Sequence, residues 1–219
     1  MNKNVLLLKK EFRLSSSVLS YFFILGSAFC MIPNYPCLVG AFFVCLGIFY
    51  SFQNAREVND TLYTVLLPVA KKDVVKAKML FVATIQIAAF VLFAAFTVLR
   101  SFLGNAPPYD SNALMNPGLV MLGYILIVFV LFNGIFVTGF YKTAYKIGKP
   151  FIVFTVSAFL FITVTEVLHH IPVLDFLNSA DIGHRPVQIL ILVFCAVAYL
   201  LFFFVALKIS QNRFDKIDF

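Results

Sequence analysis

VQILILVFCAVAYLLFFFVALKISQNRFDK, residues 187–216, holds an uncharged apolar run from Val187 to Leu207 and then the bases Lys208, Arg213 and Lys216. A helix over those 21 residues is about 31 Å long, matching the hydrocarbon core of a bilayer. Five stretches upstream share this composition: approximately Leu14–Ile32, Tyr35–Phe52, Met79–Val98, Leu119–Tyr141 and Phe151–Leu168. Each of the six holds 18 to 23 residues and is apolar all round. A spanning backbone must satisfy its own hydrogen bonds, and the alternation of a membrane barrel is absent. The expected fold is an all-α integral membrane protein, with residues 1–219 forming one domain of six transmembrane helices.

Charge gives the orientation. Of 17 Lys and Arg residues, 15 fall on one side when the spans alternate, and only Arg100 and Arg185 lie opposite. The positive-inside rule then puts both termini and the two basic loops in the cytosol. The basic balance is read as membrane topology, with no nucleic-acid partner. No cleavable signal peptide is expected, because the first run is long and lacks a small-residue cleavage site. Cys30, Cys37, Cys45 and Cys195 lie in or beside spans without metal-like spacing and read as small apolar core residues. Cys30 and Cys37 flank a short outer turn around Pro33-Asn34 and are placed to approach each other.

Little chain remains to fold in water. The second outer loop, Ser101–Asn116, contains Pro107-Pro108, and the third is His169–Pro186. Neither is long enough for an independent core. Lys3–Arg13 reads either as a helix along the membrane surface or as an inward extension of the first span. In the first arrangement Val5, Leu8 and Phe12 share one side, and Lys9, Lys10 and Arg13 another.

The most informative soluble segment is QNAREVNDTLYTVLLPVAKKDVVKAK, residues 53–78. Asn59 or Asp60 is expected to cap a short helix with Leu62, Val65, Leu66 and Val69 on one side, ended by Pro68. Asp73 is expected to cap the next helix, which runs through Lys76 and Lys78 into the third span. An apolar helix face in a loop either packs on its own spans or docks into a partner. The residues alone leave these two readings open.

No phosphate-binding loop of the form G-x-x-x-x-G-K-[ST] occurs; Gly148-Lys149 is followed by Pro150. His169, His170 and His184 do not form a metal-binding pattern, and no nucleophile has a partner base in view. Ser15–Ser17 and Ser20 fit helix packing. Glu166 is the acid inside an apolar run, with His169, Arg185 or Arg100 as expected partners; the other reading is an interfacial Glu reaching the headgroups. Gln86 and Gln188 are expected to join helices, and Arg56 and Glu57 to pair at the inner mouth. Phe129, Phe132, Phe154 and Phe161 are candidates for an apolar path.

The loop over Glu57, Asn59, Asp60, Leu62, Leu66-Leu67-Pro68-Val69, Lys72, Asp73, Val75, Ala77 and Lys78 resembles permease subunits of type-2 ABC exporters. It is most similar to the bacterial group containing the phenol-soluble modulin peptide exporter permease. The six-span pattern extends this likeness over the chain, and its specific part covers about residues 32–80.

The resemblance implies a homodimer of permease chains joined to two copies of a separate ABC ATPase subunit, in a bacterial plasma membrane. ATP and magnesium would sit on that partner, with no cofactor and no catalysis in this chain. Residues 1–13 would form an interfacial elbow, 53–78 the coupling loop and 169–186 an outer loop or half-helices. Thr61, Leu62, Val65, Leu66, Leu67 and Pro68 would dock on the ATPase, with Lys71, Lys72 and Asp73 around them. Tyr141–Pro150 would add a smaller contact. Arg56, Glu57, Glu166, His169 and Arg185 are candidate gate or pathway residues. The implied function is export of amphipathic or hydrophobic cargo, peptides first, by alternating access. A secondary transporter or a non-transporting membrane scaffold is the rival reading.

Overall fold

The computed structural model of the protein describes residues 3–32, 35–103, 114–179 and 181–217. The turn at Pro33-Asn34 and the Pro107-Pro108 pair lie outside the described residues. Among the described residues the chain is helical, without strands. Among the described residues five helices are long and apolar enough to cross a membrane, and a bent pair near the N-terminus makes a sixth when counted as one span.

The bent pair corrects the expected first span. Helix α1 (Lys3–Lys10) continues as a π turn over Glu11–Ser15, and α2 (Val18–Phe22) continues as a 3-10 helix over Phe23–Met31. The two halves meet at 99°, which replaces the straight inward extension. Ser16 and Ser17 are extended at the corner, and the Ser17 hydroxyl accepts from the Leu19 N–H at 3.3 Å as an N-cap. Consecutive serines thus offer the backbone local alternatives to a continued helix. The span after the corner is short in residues, but the longer 3-10 rise extends it to about 25 Å.

The remaining spans are α3 (Cys37–Glu57), α5 (Lys71–Leu103), the run from α6 (Leu119–Leu131) through a π turn (Phe132–Val137) to α7 (Thr138–Phe140), α8 (Gly148–Leu168) and α9 (Arg185–Asp215). Between α3 and α5 lies the short α4 (Asp60–Val65). Two 3-10 turns, Pro172–Leu177 and Ile182–His184, lie between α8 and α9. Both α5 and α9 overrun their apolar stretches and project from the basic end of the bundle.

Helix α3 and the α6–α7 run form the centre, whereas α8 and α9 leave most of their apolar surface outward. Phe49, Phe52, Phe132, Phe136, Phe151 and Phe154 interlock between α3, α6–α7 and α8, with ring centroids 4.0 to 5.9 Å apart. Phe129, Phe132 and Phe154 are fully buried in this core, and Phe161 meets Tyr124 edge-on. All four cysteines are buried and free.

Small residues bring the first two spans together. Ser20 donates to the Gly47 carbonyl at 2.6 Å and shares a 2.5 Å hydrogen bond with Ser51. A Cβ on Gly40 would run into the Gly26 backbone, and one on Gly47 would stand 2.9 Å from the Phe23 Cβ. Close backbone approach of this kind drives association where lipid removes the hydrophobic force. Gly40→Val is therefore expected to cost about 1–3 kcal/mol, seen as a lower unfolding midpoint in detergent. Gly134→Ala, where a Cβ meets nothing within 4 Å, should leave the midpoint unchanged or higher. Equal loss in both variants would contradict the packing account.

Candidate functional site

The segment between α3 and α5 is built on a left-handed residue. Asn59, at φ 52°, turns the chain out of α3 and into α4, in a conformation that asparagine tolerates better than most. Neither Asn59 nor Asp60 caps α4 with its side chain. The expected cap is corrected: the Asp60 carboxylate points instead to Lys10, at 2.6 Å. Helix α4 ends at Val65, before Pro68, and α5 begins at Lys71, so Asp73 sits in its first turn and not at its cap.

The expected apolar side of α4 divides in two. Val65 and Val69 pack against the core, and Thr64 is buried. Leu62, Tyr63, Leu66, Leu67 and Pro68 are exposed, Leu66 at 75%. Thr61 lies half-buried between them. Lys71 donates to the Ile217 carbonyl at 2.7 Å, and Lys72 lies 3.6 Å from Asp215, so the end of α9 braces the start of α5. Arg213 adds a bond to the Thr138 carbonyl at 2.6 Å, and Phe214 stacks edge-on against Tyr141.

Behind the exposed leucines lies a buried charge network. Lys10 bridges Asp60 and Glu11, the latter at 2.9 Å, and donates to the Thr64 hydroxyl at 3.0 Å. Lys78 meets Glu11 at 3.0 Å and donates to Ser15 at 2.8 Å, while Ser15 donates to Glu11 at 2.7 Å. The Lys78 ammonium also lies 5.0 Å from the Phe52 ring centroid and 5.5 Å from that of Phe81. Two cations and two anions thus balance where α1, α4 and α5 meet. Burial alone would push the Glu11 carboxyl up, but Lys78 and Lys10, with their hydrogen bonds, bring it down to about 2. Burial works against the Lys10 charge as well, yet Glu11 and Asp60 raise its pKa above the ordinary value.

The sequence put Lys10 with Lys9 and Arg13 on one side of a surface helix and Ser15 among packing serines, and it left Glu11, Thr64 and Lys78 unmarked as their partners. One signal was present: Glu11 is the only acid before Glu57. Arg56 and Glu57 do not pair. Arg56 lies 5.8 Å from the Tyr145 ring centroid, and Glu57 accepts from Gln53 at 2.9 Å.

At the other end, Glu166 accepts from the Met115 N–H at 2.8 Å in place of the expected His169, Arg185 or Arg100. Its Oε1 has no hydrogen-bond partner, and neither ring nitrogen of the buried His169 has one. Arg100 donates to the Cys30 carbonyl at 3.0 Å and to Asn116 at 3.2 Å, and Arg185 is exposed at the start of α9. Mid-bundle, Gln86 exchanges bonds with Asn133 at 3.0 and 3.2 Å and accepts from Tyr199 at 2.9 Å, joining α5, the π turn and α9. Gln188 instead holds the outer loop through the Phe176 and Ser179 carbonyls. Beside Gln86 a cavity of about 220 Å³ is lined by Ile87, Phe90, Leu126, Phe129 and Tyr199. Among the described residues, no three His, Cys, Asp or Glu side chains converge to hold a metal ion.

Glu11→Gln leaves Lys78 buried without its carboxylate and should cost about 3–5 kcal/mol at neutral pH. The Glu11 contribution is present above its ordinary 4.5 and is lost as pH falls toward about 2. Melting curves of wild type and variant in detergent should therefore converge over that interval. Glu11→Leu with Lys78→Met should recover much of the loss. A gap that persists below pH 2, or a double variant as unstable as the single, would contradict the pairing.

A model of a transporter family, described as ABC-2 family transporter protein, matches residues 2–214. No curated protein and no solved structure matches the chain. The match runs from α1 to the buried Phe214, so it takes in the bent pair, the α4 segment and all later spans. With an all-helical membrane fold and five to six candidate spans, the chain belongs to the ABC-2 transporter family, as a membrane permease subunit of an ABC transporter.

Proposed function

We propose that this chain is the membrane half of an ATP-driven exporter that moves amphipathic or hydrophobic cargo, peptides first among them, out of the cytosol. ATP and magnesium act on a separate ABC ATPase subunit, two copies of which engage two permease chains paired as a homodimer. Thr61, Leu62, Leu66, Leu67 and Pro68 face the ATPase cleft, with Val65 holding the element to the bundle and Lys71, Lys72 and Asp73 at its base. The basic end lies in the cytosol of a bacterial cell, and α1 runs along the inner face of its plasma membrane. The sequence pattern at residues 57–78, similar to the phenol-soluble modulin exporter group, supports the peptide reading.

One observation carries the docking assignment. A short, water-facing element exposes Leu62, Tyr63, Leu66 and Leu67, while its other side is fixed by Lys10 to α1 and, through Glu11, to Lys78 of α5. Apolar surface outside the membrane calls for a partner, and the tie behind it provides a route for force. Closure of the paired ATPases presses α4, and the elbow and third span follow. The cavity beside Gln86 is smaller than the ~300 Å³ at the low end of drug-sized pockets. A peptide does not fit this cavity, and a path at the seam of two paired chains, opened by alternating access, accords with the homodimer reading. Arg56 and Glu57 at the inner end, and Glu166, His169 and Arg185 at the outer end, stand as candidate gate residues of that path.

Leu62→Asp with Leu66→Asp should lower co-purification of the ATPase at least about tenfold, while the chain still inserts and melts normally. Undiminished recovery of the ATPase would contradict the assignment.

A further inference from the structure

The connection between α7 and α8 is a built surface. It runs Tyr141-Lys142-Thr143-Ala144-Tyr145-Lys146-Ile147 and enters α8 at Gly148-Lys149. Tyr141, Ala144 and Ile147 are buried, whereas Lys142, Tyr145, Lys146 and Lys149 are exposed. Its backbone is fixed by the left-handed Ala144 at φ 52°, whose N–H donates to the Phe140 carbonyl at 2.8 Å. The Thr143 hydroxyl accepts from the Lys146 N–H at 3.0 Å. Arg56 arrives from the end of α3 and stacks over Tyr145. No Asp or Glu occurs from residue 111 to 165, and the neighbouring Glu57 is engaged by Gln53. Four cations therefore share one surface without a competing acid.

Helix lengths place that surface relative to the bilayer. Helix α8 has 21 residues, about 31 Å, close to the thickness of the hydrocarbon core. Its exposed apolar side chains start at Ile152 and Val153, one turn after Lys149. The lysine loop thus sits at the level where hydrocarbon gives way to headgroups. Helix α5, by contrast, runs for eight residues, Lys71–Lys78, before its apolar stretch begins at Met79. That offset sets Lys71, and with it the Leu66-Leu67-Pro68 end of the α4 segment, up to about 12 Å farther from the hydrocarbon than the loop, while the Asp60 end lies deeper, tied through Ser15 to Lys78. A partner seated on the Leu66-Leu67-Pro68 end lies beyond the plane of the lysines. Lipid phosphates lie in it, within reach of side chains that keep their stems on apolar surface.

We propose that Arg56, Lys142, Lys146 and Lys149 form a binding surface for anionic phospholipid headgroups, with Tyr145 as its interfacial anchor. This assignment rests on the spanning architecture and is independent of where the ATPase docks.

The test adds equal amounts of phosphatidylglycerol and phosphatidylcholine to the purified full chain in neutral detergent and reads retained lipid by native mass spectrometry. Wild type should retain phosphatidylglycerol preferentially, less so as salt rises, and excess inorganic phosphate should not displace it. Replacing Lys142, Lys146 and Lys149 together by Gln should lower that preference on the order of 100-fold, at about fivefold per lysine, with the melting point in neutral detergent unchanged. Absence of a preference in wild type, or one insensitive to salt, would overturn the proposal. So would a triple variant that keeps the preference but loses the ATPase, which would assign the loop to the protein partner.

Discussion

The Lys78–Glu11 ion pair is the constraint on which the inner half of this protein depends. Two charges removed from water hold together only when geometry and hydrogen bonding repay their desolvation. Here Ser15 and Lys10 complete the set. The pair fixes the π turn after α1 against the start of α5, which requires the chain to bend at Ser16-Ser17 before it enters the membrane. Through Lys10 the same charges reach Asp60 and Thr64, so α4 has no independent footing. Its position is set by the elbow, and the elbow by the third span.

In the proposed role as a subunit that receives force, movement of α4 must either break the ion pairs of Lys10 and Glu11 or carry α1 and α5 along. The Gly26–Gly40 and Ser20–Gly47 contacts couple the first span to the second, and the interlocked phenylalanines couple the second to the fourth and fifth. Gln86, Asn133 and Tyr199 link the third, fourth and sixth spans where the fourth loosens into a π turn. Such turns recur at functional positions in helices, and this one lets Asn133 reach its partner.

The spans were legible in the sequence because hydropathy is local and a bilayer tolerates few alternatives. The short helix α4 was legible as well, since Pro68 and the break between Val65 and Lys71 are short-range signals. The division of its apolar residues was not: Val65 and Val69 turn inward and Leu62 and Leu66 outward on an element that Lys10 holds at Asp60 from 50 residues away. Glu11 was hidden by its surroundings, because a lone acid among bases and leucines fits a surface helix until its partner is known. At the outer end the charges offered His169, Arg185 and Arg100 to Glu166, yet a backbone N–H took the place. Side-chain lists omit such donors.

The central claim is that the chain converts work done on another molecule. Proteoliposomes carrying it with and without the cognate ATPase, loaded with a labelled amphipathic peptide, test this most directly. Peptide should cross only when the ATPase, ATP and magnesium are all present, and should stay put under a proton or sodium gradient alone. Gradient-driven crossing by the isolated chain would contradict the account.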